Sequence, residues 1–512
     1  MTSRSAIIRI RPVVMAVLLA FFVAAGAAAS AVADGREMGE VQKAQPHPEF
    51  ARYMQDRGLI RTDLFQPAEQ TLGYVPSPVD LSHTEGRKIP PGRLKKSLES
   101  SAATQDDSSY IIVDAAPPSY DLRELSRVSP VKNQGSCGSC WAFASYGSLE
   151  SVLLPQELWD FSENNLKNMH GFDIAPCSGG NSAMAAAYLT RWSGPILEAD
   201  DPYSTSTTSP SGIPPVKHVR EVFYIPARGG PLDNENIKLA LQNYGAVYTT
   251  LYWSSTYYNP AAAAYYYSGT SGSNHAVAIV GWDDTFDRNR FTPAAPGNGA
   301  FIVKNSWGSA WGSGGYFYVS YYDSRIGKSN AVFVGEDTGT YGTVYQYDPL
   351  GWITSMGYGT DTAYFANVFT AAADEQIAAV GFYTPQVDSA YRVLVHVSPT
   401  AGPINATGPA VDIGGTIPIP GYHTIDLPEA IPVKAGQKFS VVVGLQTPGY
   451  NYPIPLESPY SGYSSRATSH AGESYVSRTG ASWSDLASYY SNSNVCLKAF
   501  TAEVARGLTL KE

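Results

Sequence analysis

The string Gln134–Phe143 constrains the fold of this chain more than any other stretch of its 512 residues. It reads Gln-Gly-Ser-Cys-Gly-Ser-Cys-Trp-Ala-Phe, which places Cys137 and Cys140 three positions apart. A helix-compatible run, Cys140–Leu154, begins at the second cysteine and is stopped by Pro155. Backbone N–H groups at the start of a helix are unsatisfied and carry partial positive charge, which lowers the pKa of a thiol from its ordinary value of about 8.5. The pattern predicts a reactive thiol at Cys140.

Two cysteines at this spacing also occur in redox centres and in zinc sites. A zinc site is disfavoured because the four cysteines of the chain contain no second close pair, and no H-E-x-x-H sequence is present. A thiol-disulfide oxidoreductase that uses Cys137 and Cys140 is the stronger alternative. It is disfavoured, although still open, because tryptophan follows the second cysteine instead of preceding the first.

A histidine motif follows later in the chain and offers a candidate partner for this thiol. Asn274-His275 opens the strand-like run Ala276–Trp282, 135 residues after Cys140. An imidazole beside a thiol stabilises the thiolate and later donates its proton to a leaving amine. A third motif, Asn305-Ser-Trp-Gly, follows after a loop of Pro, Gly and Asp residues whose acidic groups we expect to be solvated rather than to hold a cation.

These three motifs, in this order, resemble the signature of the papain family of cysteine proteases over roughly residues 119–336. The resemblance implies that Cys140 is the nucleophile and His275 the proton carrier. It implies that Asn305 orients the imidazole ring. It also implies that Gln134 and the backbone N–H of Cys140 bind the developing oxyanion, which is the usual stabilising device in acyl transfer.

The same resemblance assigns five more residues. Cys137 is expected to form a disulfide with Cys177. Gly179 and Gly180 are expected to lie along the substrate cleft, where an extended peptide approaches the enzyme backbone closely. Trp307 is expected to border the cleft and to shield the bond between the histidine and the asparagine from water. Nothing in the sequence resembles the occluding loop of cathepsin B, so endopeptidase action is favoured over exopeptidase action.

The N-terminus is typical of an exported protein. Three arginines precede the apolar run Val13–Ala29, and Ala31-Val-Ala33 provides a small-residue cleavage site. The apolar core is shorter than the approximately 20 residues that span a bilayer. We therefore expect a signal peptide over residues 1–33 and a secreted, extracellular or cell-surface protein, with no integral membrane segment after signal removal.

Residues 34–116 are polar and interrupted by proline, which predicts a pro-segment that ends in a flexible linker. We expect activating cleavage within Ser97–Pro118, a Ser-rich stretch of the kind that proteases cut. We call residues 34–116 the leader. The leader lacks the spaced Glu, Arg, Phe and Asn pattern of the long helical propeptides of plant and animal members. The run Leu72–Leu81 resembles instead the short pro-segment of microbial relatives, and this leaves its inhibitory role undecided.

The chain changes character after about Tyr341. From there on, short β-rich runs are separated by Gly, Pro, Asn and Ser. The runs are Gln376–Tyr383, Tyr391–Val397, Lys438–Leu445 and Val495–Phe500. This pattern predicts a β-sandwich or jelly roll, and the block resembles the lectin-like domain that follows the protease in microbial relatives. We expect a separately folded module, with Tyr460, Tyr463 and Trp483 as candidates for stacking on a glycan or cell-surface ligand. Cys496 is assigned no function.

The sequence therefore predicts an α+β, two-lobed papain-like domain at 117–338 and an all-β sandwich at 341–505, after the signal peptide (1–33) and pro-segment with linker (34–116). Protein or peptide substrates and no cofactor or metal are expected. The net charge of -10 offers no basic excess for nucleic acid. A non-catalytic surface-binding protein is an alternative, disfavoured because all four of the expected catalytic residues are present.

Overall fold

The structure, a computed structural model, describes residues 41–57, 72–89, 116–205 and 207–502. These residues all belong to one unit that spans Glu40–Glu512. The expected signal peptide and most of the expected cleavage linker, residues 97–115, lie outside the described residues.

The described residues form few helices and many strands. The helices are α1 (Pro48–Arg57), α2 (Cys140–Leu153), α3 (Glu163–Met169), α4 (Ser182–Thr190) and α5 (Glu235–Asn243). The strands of the first half are β1 (Gln42–Lys43), β2 (Ser119–Asp121), β3 (His218–Ile225), β4 (Val247–Leu251), β5 (Tyr258–Asn259), β6 (Ala264–Tyr265), β7 (His275–Asp283), β8 (Ala300–Lys304), β9 (Tyr316–Ser320) and β10 (Asn330–Glu336). Those of the second half are β11 (Tyr341–Tyr345), β12 (Thr354–Gly357), β13 (Thr362–Thr370), β14 (Glu375–Thr384), β15 (Ser389–Val397), β16 (Val411–Ile417), β17 (Gly421–Val433), β18 (Lys438–Gln446), β19 (Ile454–Glu457), β20 (Ser474–Ser477), β21 (Ser484–Asp485), β22 (Asn494–Val495) and β23 (Leu497–Ala502).

Helix α2 is the centre of the first half of the molecule. All of its residues are buried, because it packs on α4 on one side and on β7 and β10 on the other. An apolar helix with no polar face belongs inside a core. The packing fixes Cys140, the first residue of α2, between a helical part and a sheet whose strands run in the order β3-β10-β4-β7-β8-β9.

The second half is a sandwich, as the sequence predicts. One layer has the strand order β16-β15-β18-β13-β20-β21, and the other contains β11-β23-β14-β17. Val393 and Val395 of β15 are fully buried between the layers. The expected strand Val495–Phe500 is wrong as a single element. It divides at Cys496, because β22 pairs with β19 whereas β23 pairs with β14.

The two halves share one sheet and one core, which contradicts the expectation of a separately folded module. Strand β17 pairs with β3 through Tyr422 and Val222, so a single 13-stranded sheet crosses the junction. The hydrophobic cluster around Trp141 includes aromatic residues from the second half, which are Trp352, Tyr383, Tyr422 and Tyr463. Long-range strand pairing of this kind has no local sequence signal.

We therefore predict that a protein ending at Glu336 does not fold into an active form. Loss of one buried aromatic side chain typically costs about 3–5 kcal/mol, and the truncation removes several, against a typical total stability of about 5–15 kcal/mol. Soluble yield and urea unfolding of the truncated protein measure the effect. Lys434→Gln, an exposed change within the second half, should leave the unfolding midpoint unchanged. Cooperative unfolding with peptide turnover by the truncated protein would contradict the shared core.

Candidate active site

The thiol of Cys140 lies at the N-terminus of α2 and is fully buried. The backbone N–H of Ala276, the residue after His275, points at its sulfur from 3.4 Å. The backbone N–H groups of Cys140 and Trp141 also face the sulfur. The start of the helix and the start of β7 thus converge on one sulfur atom, which is free of any disulfide.

His275 and Asn305 are joined by a hydrogen bond, as the resemblance implies. The distance from His275 Nε2 to Asn305 Oδ1 is 2.9 Å. Asn305 Oδ1 also accepts the backbone N–H of Ser306 at 2.9 Å, which fixes the amide orientation. The Trp307 ring stacks on the imidazole, with centroids 4.7 Å apart and planes 20° apart. Trp307 is itself buried, so the bond between the two residues is covered on this side.

The loop that presents His275 is anchored by the residue before it. The Asn274 side chain accepts the backbone N–H of Trp253 at 2.6 Å and donates to the Trp253 carbonyl at 3.0 Å. Sequence reasoning treated Asn274 as part of the histidine motif without a role. These two bonds show that its amide holds the start of β7 against the neighbouring loop.

Gln134 is buried beside the loop that precedes Cys140. Its Nε2–H donates to the Cys137 carbonyl at 2.9 Å, and its Oε1 accepts the Ser306 hydroxyl at 2.6 Å. The disulfide joins Cys137 to Cys177, the pairing that the resemblance implies. A redox centre made of Cys137 and Cys140 is therefore contradicted, since Cys137 is already bonded elsewhere.

Residues of the leader occupy the groove between Cys140 and the two glycines. The Val75 N–H donates to the Gly180 carbonyl at 2.9 Å, and the Gly180 N–H donates to the Gly73 carbonyl at 3.0 Å. The Tyr74 N–H donates to the Asn274 carbonyl at 3.2 Å. An extended chain thus lies beside Gly180 in a parallel pairing, and it is the leader itself.

Gly73 is the leader residue that lies against the thiol. Its backbone N–H points at Cys140 Sγ, while its carbonyl is held by Gly180. The group next to the sulfur is therefore an amide N–H and not the carbonyl carbon that a nucleophile would attack. Only glycine fits here, because a Cβ at position 73 would lie 2.1 Å from the Gly138 carbonyl oxygen.

The pKa values in this covered site differ from the sequence expectation. Burial raises the pKa of Cys140 to about 11, against the lowering effect of the N–H groups of Ala276, Gly73, Trp141 and Cys140 itself. Burial lowers the pKa of His275 to about 4, partly offset by its bond to Asn305. Both groups are thus neutral at pH 7, whereas the sequence predicts a thiolate. The expectation considered the helix terminus but not the leader that covers it.

Of the three aromatic residues nominated for sugar stacking, one lies inside the molecule. Tyr463 is fully buried and accepts a hydrogen bond from the Asn181 side chain at 3.1 Å. Phe50 of α1 packs edge-on against Tyr460 and Tyr463, at 4.9 and 5.0 Å. Tyr463 is therefore unavailable to a glycan, whereas Tyr460 and Trp483 are partly exposed.

The acidic loop between β7 and β8 uses its carboxylates internally. Asp284 binds Lys238 at 2.6 Å and accepts the Tyr321 hydroxyl at 2.6 Å, and Asp287 caps a short helical turn. Within the described ranges, no cluster of three or more His, Cys, Asp or Glu residues is arranged to hold a metal ion. No helix in these same ranges is long and apolar enough to cross a membrane.

Comparison with known proteins assigns both halves of the chain. Residues 116–334 match the papain family of cysteine proteases, and residues 344–501 match the lectin-like domain family. A cysteine protease of Blomia tropicalis is 29% identical over 42% of this chain and 65% of the relative. A probable cysteine protease of Arabidopsis thaliana is 32% identical over 40% of this chain and 56% of the relative. The chain thus covers less than two thirds of either relative.

Solved structures resemble the two halves together. The cysteine protease and lectin-like domains of Cwp84, a surface layer associated protein of Clostridium difficile, align with a TM-score of 0.73 at 26% identity, over 90% of this chain and 98% of that one. Cwp84 after propeptide cleavage aligns with a TM-score of 0.67 at 28% identity, over 75% of this chain and 98% of that one. The expected fold class is confirmed. Residues 116–334 form a papain-family cysteine protease domain, and residues 344–501 form a lectin-like domain.

Proposed function

We propose that this protein is a secreted cysteine endopeptidase that is made as a latent precursor. The observation that carries the proposal is the arrangement around one sulfur: a free thiol at a helix N-terminus, the N–H after His275 directed at it, and His275 bonded to Asn305 at 2.9 Å. Nucleophile, proton carrier and orienting group are the parts that covalent hydrolysis requires.

In the first half-reaction, the Cys140 proton passes to His275 and the sulfur attacks the carbonyl carbon of the scissile peptide bond. The backbone N–H of Cys140 and the amide of Gln134 stabilise the oxyanion of the tetrahedral intermediate. When the intermediate collapses, the carbon–nitrogen bond breaks. The leaving amine takes the proton from His275, and a thioester remains on Cys140.

In the second half-reaction, His275 accepts a proton from water and the resulting hydroxide attacks the thioester carbon. The carbon–sulfur bond breaks, the acid product leaves, and the proton returns to the sulfur. Asn305 keeps the imidazole in one orientation throughout, which is the role supported by its bond to Nε2. Trp307 excludes water from that bond through its stacking contact.

The leader keeps the enzyme latent. Residues 72–75 cover the thiol and use the Gly180 and Asn274 hydrogen-bonding groups that we assign to substrate. The leader is also held by the lectin-like half, because β1 pairs with β12 and Phe50 packs on Tyr460 and Tyr463. Both halves of the molecule therefore support the latent state, and activation requires that the leader is cut and released.

The proposal places the enzyme outside the cell. The disulfide between Cys137 and Cys177 supports an oxidising compartment, and the N-terminal sequence supports export. The aligned Cwp84 is described as surface layer associated. We extend a surface location to this chain, with Tyr460 and Trp483 as the remaining candidates for contact with a glycan.

Peptide turnover before and after leader cleavage tests the function. A recognition sequence for an unrelated protease, inserted between residues 97 and 115, allows the precursor to be cut at will. We expect kcat/KM on a fluorogenic peptide to rise by about 100-fold or more on cleavage. This corresponds to the loss of leader contacts that contribute about 3 kcal/mol of binding free energy. Equal turnover by both forms would contradict latency, and no turnover by either form would contradict the function.

A further inference from the structure

A cavity of about 370 Å³ adjoins the catalytic cleft. The protease half contributes Ser182, Thr250 and Ser329 to its walls, with Arg325 and Lys328 also bordering it. The leader contributes the other wall, including the side chain of Tyr74, which makes a hydrogen bond with Ser329. Tyr74 is also the leader residue that lies opposite Gly180. The cavity is therefore the space into which the chain bound along Gly180 directs the side chain that lies opposite this glycine.

Two cations of the protease half are paired here with carboxylates of the leader. Arg325 Nη1 lies 2.9 Å from Glu49 Oε1, and Lys328 Nζ lies 2.5 Å from Glu85 Oε1. The two glutamates are 36 positions apart in the sequence and approach the cavity from different parts of the leader. Within the described ranges, these are the carboxylates within 4 Å of the two cations.

The cations are held by the protease half independently of the leader. Arg325 Nη2 donates to the Thr270 carbonyl, in the loop that leads to His275. Lys328 Nζ donates to the Arg228 carbonyl at 2.6 Å. The buried Arg325 Nε has no hydrogen-bond partner among the residues that the structure describes. Release of the leader thus leaves two fixed positive groups beside the cleft, each without its carboxylate and each able to accept another.

We propose that Arg325 and Lys328 form a carboxylate-binding subsite, which selects substrates with an aspartate or glutamate side chain in the segment that lies along Gly180. The inference rests on the proposed peptidase function and specifies its substrate class. Glu49 and Glu85 occupy the subsite in the precursor in the way that an acidic substrate side chain occupies it in the cleaved enzyme.

Matched peptides test the subsite on the cleaved protein. Fluorogenic peptides that differ only by Glu or Gln at each of the three positions before the scissile bond are compared by kcat/KM. We expect a preference for Glu of about tenfold at one position, the size of one charge-assisted hydrogen bond. The preference should shrink in high salt, since both cations are partly exposed.

Variants of the two cations identify the source of the preference. Arg325→Gln and Lys328→Gln should each reduce the Glu-to-Gln ratio, whereas Lys328→Arg, which keeps the charge, should retain it. Lys434→Gln is the matched control, because Lys434 pairs with Asp374 in the lectin-like half. If the enzyme cleaves all the peptides but shows no preference for Glu, the carboxylate subsite is overturned and the proposed peptidase function is not. Cleavage of none of them would instead count against the proposed function.

Discussion

Replacement of Cys140 by alanine is expected to abolish peptide hydrolysis by the cleaved protein. The nucleophile has no substitute, and loss of such a group from a catalytic unit costs about 10⁶-fold in kcat. Replacement of His275 by alanine should cost at least about 10²–10⁴-fold, the usual contribution of a general acid and base. Both effects are read as kcat/KM on a fluorogenic peptide, with urea unfolding to confirm that each variant is folded.

Asn305→Ala should retain more activity than Cys140→Ala or His275→Ala. The imidazole keeps its stacking contact with Trp307 and its place at the start of β7 when the amide is removed. Cys496→Ala is the matched control, because Cys496 is the other buried free cysteine in the described residues and lies between β22 and β23, not at the start of α2. Substantial turnover by Cys140→Ala, or inactivation by Cys496→Ala in a folded protein, would contradict the assignment of the nucleophile.

The second large effect concerns the leader. Gly73→Ala in the uncleaved precursor is expected to raise its basal turnover by about 30-fold or more, equivalent to about 2 kcal/mol of lost leader binding. The physical reason is steric, since the new Cβ would lie 2.1 Å from a backbone oxygen of Gly138. A backbone contact of this kind cannot be relieved by a side-chain rotation, so the leader must move away from Cys140.

Gly230→Ala serves as the control for this experiment. A Cβ at position 230 meets no atom within 4 Å, so the precursor should stay latent. After cleavage and removal of the leader, Gly73→Ala should have the same turnover as the unchanged protein, because residue 73 is no longer present. An uncleaved Gly73→Ala precursor that is as inactive as the unchanged one would show that residue 73 does not block the thiol.

Local motifs determine the parts of this molecule that sequence reasoning predicts well. The helix that begins at Cys140 and the strand that begins at His275 follow from short strings, and the bond from His275 to Asn305 follows from the family resemblance. The disulfide from Cys137 to Cys177 follows from the family resemblance. These features depend on residues whose roles are set by chemistry rather than by distant packing.

Long-range packing determines what the sequence does not predict. The pairing of Tyr422 with Val222 joins segments 200 positions apart, and neither segment carries a signal for the other. The aromatic character of Tyr463 suggested a binding surface, yet the ring is buried against Phe50. The leader has the composition of a loose linker, and its contact with the thiol depends on one glycine that fits beneath Gly138. The raised pKa of the buried thiol likewise depends on packing that the string around Cys140 does not encode.

The reactivity of Cys140 before and after leader cleavage shows whether this thiol is the nucleophile and whether the leader blocks it. A peptide-like epoxide is incubated with both forms across a range of pH, and the labelled cysteine is identified by peptide mapping. The account predicts no labelling of the uncleaved form at pH 7, where burial holds the pKa of Cys140 at about 11. It predicts rapid labelling of Cys140, and not of Cys496, in the cleaved form at the same pH. Equal labelling of Cys140 in both forms, or labelling of Cys496 in place of Cys140, would contradict it.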